Sequence, residues 1–242
     1  ENQIAVSRRS RGYLFPCHPP CSAKMPQHIQ AGIFTRADGK STSQWHDAYR
    51  NLVLPTTGPT SEHQRAWFFE EDKDGSNRNL VATVWDSKAG VGKVCGGDAF
   101  KAATVNEEWR GHLGGPPAFS TGDMFYPSSF SVDATTQLKE GAVCVSMQFT
   151  VEADGEEDFA ACYRDNIYPT MESRTAHLPA AKFIFFERGS GTVNTMYLYH
   201  SADARTAATS DNPPLEEAKK LIRLKVTGPV AFSSWKFIST EG

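Results

Sequence analysis

One short pattern occurs twice in this chain, and it restricts the possible folds more than any other feature. Residues 45 to 56 read Trp-His-Asp-Ala-Tyr-Arg-Asn-Leu-Val-Leu-Pro-Thr, and residues 159 to 170 read Phe-Ala-Ala-Cys-Tyr-Arg-Asp-Asn-Ile-Tyr-Pro-Thr. Aromatic, Tyr-Arg and Pro-Thr keep one register at a displacement of 114 positions. At that displacement His63 falls on His177, and Trp85-Asp86-Ser87 falls on Tyr199-His200-Ser201. With small drifts, Phe34-Thr35 matches Phe149-Thr150, Ala37-Asp38-Gly39 matches Ala153-Asp154-Gly155, and Phe68-Phe69-Glu70 matches Phe185-Phe186-Glu187. Gly115-Pro116 with Ala118-Phe119-Ser120 likewise matches Gly228-Pro229 with Ala231-Phe232-Ser233. Such a period is too long for a solenoid unit, so each copy is a domain-sized half.

Within the first copy, His28 to Arg36 reads as a strand closed by the turn signal Ala37-Asp38-Gly39. Ser41 to Leu54 reads as a capped helix with Trp45, Tyr49 and Leu52 on one face and Pro55 at its end. Ala66 to Glu70 and Leu80 to Asp86 form a hairpin about residues 72 to 77. A Gly-rich loop, residues 89 to 93, leads to a helix near Asp98 to Trp109, and Pro117 to Phe125 is the last strand. The second copy repeats the order: strand Ala142 to Val151, helix Glu156 to Tyr168 stopped by Pro169, strands Ala181 to Glu187 and Thr192 to His200. A helix capped by Asp211 and a strand Val230 to Ile238 follow. The expected division is an irregular arm over 1–26, repeats over 27–126 and 142–242, and a linker over 127–141.

Bulk properties remove several classes of partner. A net charge of −3 points away from nucleic acid, and no window is long and apolar enough to span a membrane. The five cysteines are too few and too irregular for a disulfide scaffold, which suggests a reducing, cytoplasmic setting. Cys17-His18-Pro19-Pro20-Cys21 cannot close a tetrahedral metal site alone, so no metal ligands are assigned. Gly90-Val91-Gly92-Lys93 lacks phosphate-loop spacing, and zinc-protease and nucleophile-elbow motifs are absent.

A βαββαβ unit folds as an antiparallel sheet with both helices on one face, leaving the other face bare. Two such units can bury their bare faces together and close an eight-stranded barrel. The βαββαβ order, the aromatic-Tyr-Arg helix ending in Pro, and the closing Gly-Pro-x-Ala-Phe-Ser strand resemble a tandem member of the dimeric α+β barrel superfamily. Its relatives include EthD-like proteins, stress-responsive A/B barrels, small polyketide cyclases and antibiotic-biosynthesis monooxygenases. The resemblance covers about residues 27 to 240 and implies an α+β fold of two ferredoxin-like repeats forming one intramolecular barrel. No motif selects one activity from that group.

Strand periodicity then nominates site residues. Ala82, Val84, Met196 and Leu198 are expected to face helices, with Thr83, Trp85, Tyr197 and Tyr199 inside the barrel. Ile33, Ser146 and Gln148 are expected to join them, and Tyr163 to contribute from its helix. His63 and His177, at a barrel rim, and His200, which differs from Asp86 between the copies, are the candidate acid–base groups together with Tyr197 and Tyr199. Each has a plainer reading, since Tyr163 suits core packing and a histidine before a strand suits backbone bonding. The expected function is a cofactor-independent enzyme of specialised metabolism acting on a hydrophobic polyketide- or terpenoid-like substrate in the barrel. Its reaction would be a cyclisation, dehydration, isomerisation or pericyclic ring closure. A non-catalytic ligand-binding or stress-responsive barrel is the alternative, with cofactor-free oxygenation or haem chemistry behind it. A monomer or homodimer is expected.

Overall fold

The computed structural model describes residues 28–57, 63–125, 138–172 and 181–241, with the backbone alone for residues 63, 64 and 172. The N-terminal arm and most of the expected linker lie outside them. The first half runs β1 (His28–Thr35), α1 (Thr42–Ala48), β2 (His63–Glu71), β3 (Arg78–Trp85), α2 (Lys88–Cys95), α3 (Asp98–Val105), α4 (Glu107–Arg110) and β4 (Ala118–Met124). The second runs β5 (Val143–Thr150), α5 (Glu156–Glu172), β6 (Ala181–Phe186), β7 (Thr192–Tyr199), α6 (Ala202–Thr209), α7 (Pro213–Arg223) and β8 (Ala231–Glu241). The expected βαββαβ order is present twice, with an added helix, α2 or α6, directly after the third strand of each half.

That extra helix has a local cause. Ser87 and Ser201 hold nearly the same extended backbone, and each side chain accepts a hydrogen bond from the backbone three residues on, at Gly90 and Ala204. These are N-caps. The duplicated Trp85-Asp86-Ser87 and Tyr199-His200-Ser201 runs are therefore helix starts, and residues 89 to 93, read above as a loop, are helical. Asn106 caps α4 and divides the helix expected over residues 98 to 109. In α5 the chain continues past Pro169, which sits inside the helix, while Thr170 donates its hydroxyl to the Ile167 carbonyl at 2.7 Å. After Tyr49 the first-half helix widens into a π-helical turn, Tyr49–Val53. Asn212, not Asp211, caps α7.

The eight strands close in the order β1-β3-β2-β8-β5-β7-β6-β4. Each half supplies its last strand to the other: β8 pairs with β2 over six residue pairs, and β4 pairs with β6 through Asp123 with Phe186 and Met124 with Phe185. The interior is filled from both halves by Trp67, Phe69, Phe183, Phe185, Leu198 and Trp235, and the rings of Trp67 and Phe183 meet at 5.7 Å. Trp235 donates its indole N–H to Ser146 Oγ at 2.8 Å.

The strand registers correct half of the face assignment. Ala31 lies opposite Ala82 and Gln30 opposite Thr83; Cys144 lies opposite Leu198 and Ser146 opposite Met196. Residues directly opposite on antiparallel strands share a face. Ile33, Ser146 and Gln148 thus face inward as expected. Thr83, Trp85, Tyr197 and Tyr199 do not: they lie under the helices, and Ala82, Val84, Met196 and Leu198 fill the barrel.

The narrow seam between β4 and β6 depends on Gly122, where an added Cβ would stand 2.4 Å from the Phe186 backbone. Gly122→Ala is expected to force the seam apart and cost about 1–3 kcal/mol, the usual penalty of overpacking. Urea denaturation of the two proteins checks this, and an unchanged midpoint would show that the seam tolerates a side chain.

Candidate functional site

Two layers of side chains lie outside the barrel wall, one under each half's helices, and they differ. In the first half the space is filled with rings. Phe34 packs against Trp45 at 5.5 Å and Trp109 at 6.1 Å, and Tyr49 against Phe68 at 5.2 Å. In the second half Phe159 stands where the first has Trp45. Ile222, six residues before Gly228-Pro229, stands where Trp109 precedes Gly115-Pro116. Two indoles are thereby replaced by smaller groups, and a cavity of about 650 Å³ is present. Its volume is that of a drug-sized ligand site.

The barrel wall supplies Val145, Met147 and Phe149 from β5 and Tyr197 and Tyr199 from β7. Tyr163, Ile167 and Met171 come from successive turns of α5, and α6 and α7 close the far side with Arg205, Leu215, Lys219, Ile222 and Arg223. Val230 and Phe232, both exposed, mark the mouth. The barrel interior, by contrast, leaves a void of about 110 Å³ bordered by Ile33, Ser146, Gln148 and Asn194. That void holds a few waters at most, so the ligand-sized space is outside the barrel wall and not within it.

The phenols dominate the chemistry of the cavity. Tyr197 donates its hydroxyl to Tyr163 Oη at 2.9 Å, and the Tyr197 and Tyr199 rings stack at 6.3 Å. Burial pushes Tyr163 up to about 12, partly opposed by the hydrogen bond from Tyr197. Burial also raises Tyr197, with the neighbouring Tyr163 and Tyr168 adding to the effect. Tyr199 is raised by burial and by Tyr163, and drawn back by the nearby Arg205 guanidinium. All three stay protonated at neutral pH and act as hydrogen-bond donors, not bases. Among the described residues the Tyr199 hydroxyl has no protein partner, so it is available to a ligand oxygen. Arg205 is held beside it, donating to Ser234 Oγ at 2.8 Å, with its guanidinium carbon 5.6 Å from the Phe232 ring centre.

Tyr163, Tyr197 and Tyr199 are therefore brought together, although under the helices. Thr83 and Trp85 occupy the matching place in the first half, where the Trp85 indole donates to Thr83 Oγ1 at 2.9 Å. Beside them is a polar cluster with no counterpart in the cavity: buried His28 lies 2.8 Å through Nδ1 from Asp123 and 2.7 Å through Nε2 from Thr121 Oγ1. His200 is exposed beyond the end of β7 and is not among the cavity residues. His177 and the His63 side chain lie outside the described residues. Among the described residues no group of three or more His, Cys, Asp and Glu is placed to hold a metal, and no helix is long and apolar enough to cross a membrane.

No protein-family model matches the chain, and none of the curated proteins matches it in sequence. Solved structures do match in shape. A candidate monooxygenase from Fusobacterium nucleatum superimposes with a TM-score of 0.67 at 11% identity, over 90% of this chain and 95% of that one. An anthrone oxidase-like protein gives 0.61 at 12% identity, over 89% and 93%. A candidate chlorite dismutase gives 0.53 at 11% identity, over 89% and 96%. At such identities the likeness is one of fold. The shared fold is the closed eight-stranded barrel with helices outside it. In this barrel both repeats are in one chain, so the two helix layers are free to diverge in sequence. One has filled with indoles and the other has kept a cavity.

The raised phenols also set an alkaline limit on stability. Below the ordinary tyrosine value of 10 both folded and unfolded chains keep these protons. Above it the unfolded chain loses them first, so stability falls as pH rises from 10 towards about 12. Thermal melts across this range are expected to show that decline, with a shallower slope in Tyr163→Phe; equal slopes would remove Tyr163 as its source.

Proposed function

We propose that the chain is an enzyme of specialised metabolism that binds a hydrophobic, carbonyl-bearing small molecule in the second-half cavity and promotes its ring closure or isomerisation. The observation that carries this reading is the unpartnered Tyr199 hydroxyl, kept protonated and set beside Arg205 on the wall of a 650 Å³ apolar space. A carbonyl accepting from Tyr199 becomes more electrophilic, and negative charge developing on its oxygen is stabilised by the phenol. The stacked Tyr197 ring, Phe149 and the aliphatic side chains of α5 and α7 restrict the bound conformers, which contributes by orientation. Cyclisation, pericyclic ring closure, isomerisation and dehydration of a polyketide- or terpenoid-like substrate all fit donor catalysis, and none of them requires a cofactor. His63 and His177 are kept as proposed acid–base groups, and Tyr163 and Tyr197 are proposed as supports for the donor.

A non-catalytic carrier is the second reading. It is favoured by the lining itself, whose titratable side chains among the described residues are phenols, guanidiniums and an amine. Oxygenation of an electron-rich ring in the same space accords with the names of the monooxygenase-like and anthrone oxidase-like structures.

Native mass spectrometry of the protein from its own host identifies the bound compound, which then serves as the probe. Tyr199→Phe is expected to keep binding while lowering turnover by about 10²-fold, as loss of an oxyanion donor does. Binding without turnover in either protein would select the carrier, and dioxygen uptake would select oxygenation.

A further inference from the structure

We infer that the ligand of this cavity is an amphipathic organic acid, bound with its apolar body inward and its anionic head at the mouth among Arg205, Lys219 and Arg223. The inference rests on the reading of the cavity as a small-molecule site and adds the charge of the ligand. Every formally charged side chain among the described lining residues is cationic. Lys219 and Arg223 stand one turn apart on α7, so they share a face, and like charges at that spacing repel in an empty site. Glu216 relieves this from the solvent side, bonding Lys219 Nζ at 2.6 Å, but Glu216 is not part of the lining.

The attraction of last-turn cations for the end of a helix accounts for Arg223. It does not account for Arg205, which reaches the same space from the preceding helix, α6. Arg205 is also held from two sides. Its bond to Ser234 and its stacking on Phe232 orient the plane and leave further N–H donors for a carboxylate-like head. Deeper in the cavity the phenols are neutral, so the site is graded from cationic mouth to uncharged interior. An acid with a ring-bearing apolar body matches that gradient, and a purely neutral hydrocarbon does not use it.

Two fluorescent dyes test this on the full chain: anilinonaphthalene sulfonate, and phenylnaphthylamine, which has the same aromatic skeleton without the sulfonate. Both are expected to bind, and both to be displaced in Ile222→Trp, which puts an indole where the first half has Trp109. Arg205→Met and Arg223→Met, at the partly exposed mouth, are expected to weaken the sulfonate dye roughly tenfold each while leaving the neutral dye unchanged. Added salt should act in the same direction. Equal effects on the two dyes, or none, would overturn the anionic ligand while leaving the cavity a small-molecule site. Failure of both dyes to bind, or binding that survives Ile222→Trp, would overturn the cavity reading and this inference with it. If Ile222→Trp does not fold, competition between the dyes for one site replaces it, and absence of competition counts against the inference.

Discussion

The contact of Trp67 with Phe183 across the barrel interior is the constraint on which the rest of the molecule depends. It belongs to a layer in which two duplicated sheets, each with one bare face, bury those faces against each other. The aromatic side chains that make this burial worthwhile also occupy the volume, so closing the barrel removes it as a ligand site. Among the described residues, the space between each sheet and its own helices is then the alternative place for a ligand. Whether that space is filled or hollow is decided by a few positions.

Those positions show how a duplicated chain separates support from site. Trp45 and Trp109 in the first half, against Phe159 and Ile222 in the second, are changes of side-chain size that leave both folds intact. The hollow layer keeps its polar groups where strand geometry puts them, two residues apart on β7 at Tyr197 and Tyr199, with Tyr163 facing them from α5. Low dielectric then does the chemical tuning: a buried phenol resists ionisation and becomes a permanent donor. The same burial that gives the site its chemistry sets the chain's sensitivity to alkali.

The element order was readable because it depends on local signals: capping serines, Gly turns, alternating strands and the repeat that reports each signal twice. Ser41 does cap its helix, closing a capping box with Gln44, and the hairpins fall where the turn residues place them. The errors are also local. The repeated Ser87 and Ser201 cap extra helices whose sequences, rich in Gly and Ala, carry little apolar periodicity. Pro169 sits inside a helix whose packing against the sheet outweighs one missing N–H.

What the sequence determined by itself is the duplication and the α+β barrel; strand periodicity also put Tyr197 and Tyr199 on one face of their strand. Which face of the sheet they serve was decided by tertiary structure. Period-2 alternation separates two faces without saying which is inside, and only the pairing of Ala31 with Ala82 and of Ser146 with Met196 resolves the choice. The cavity, and the convergence of Arg205, Lys219 and Arg223 on it, were likewise beyond one-dimensional reading. The comparison of Trp109 with Ile222 was open to inspection in the repeat, but a missing indole makes a cavity only when helices hold their distance from the sheet. That distance is set by the packing of the whole layer.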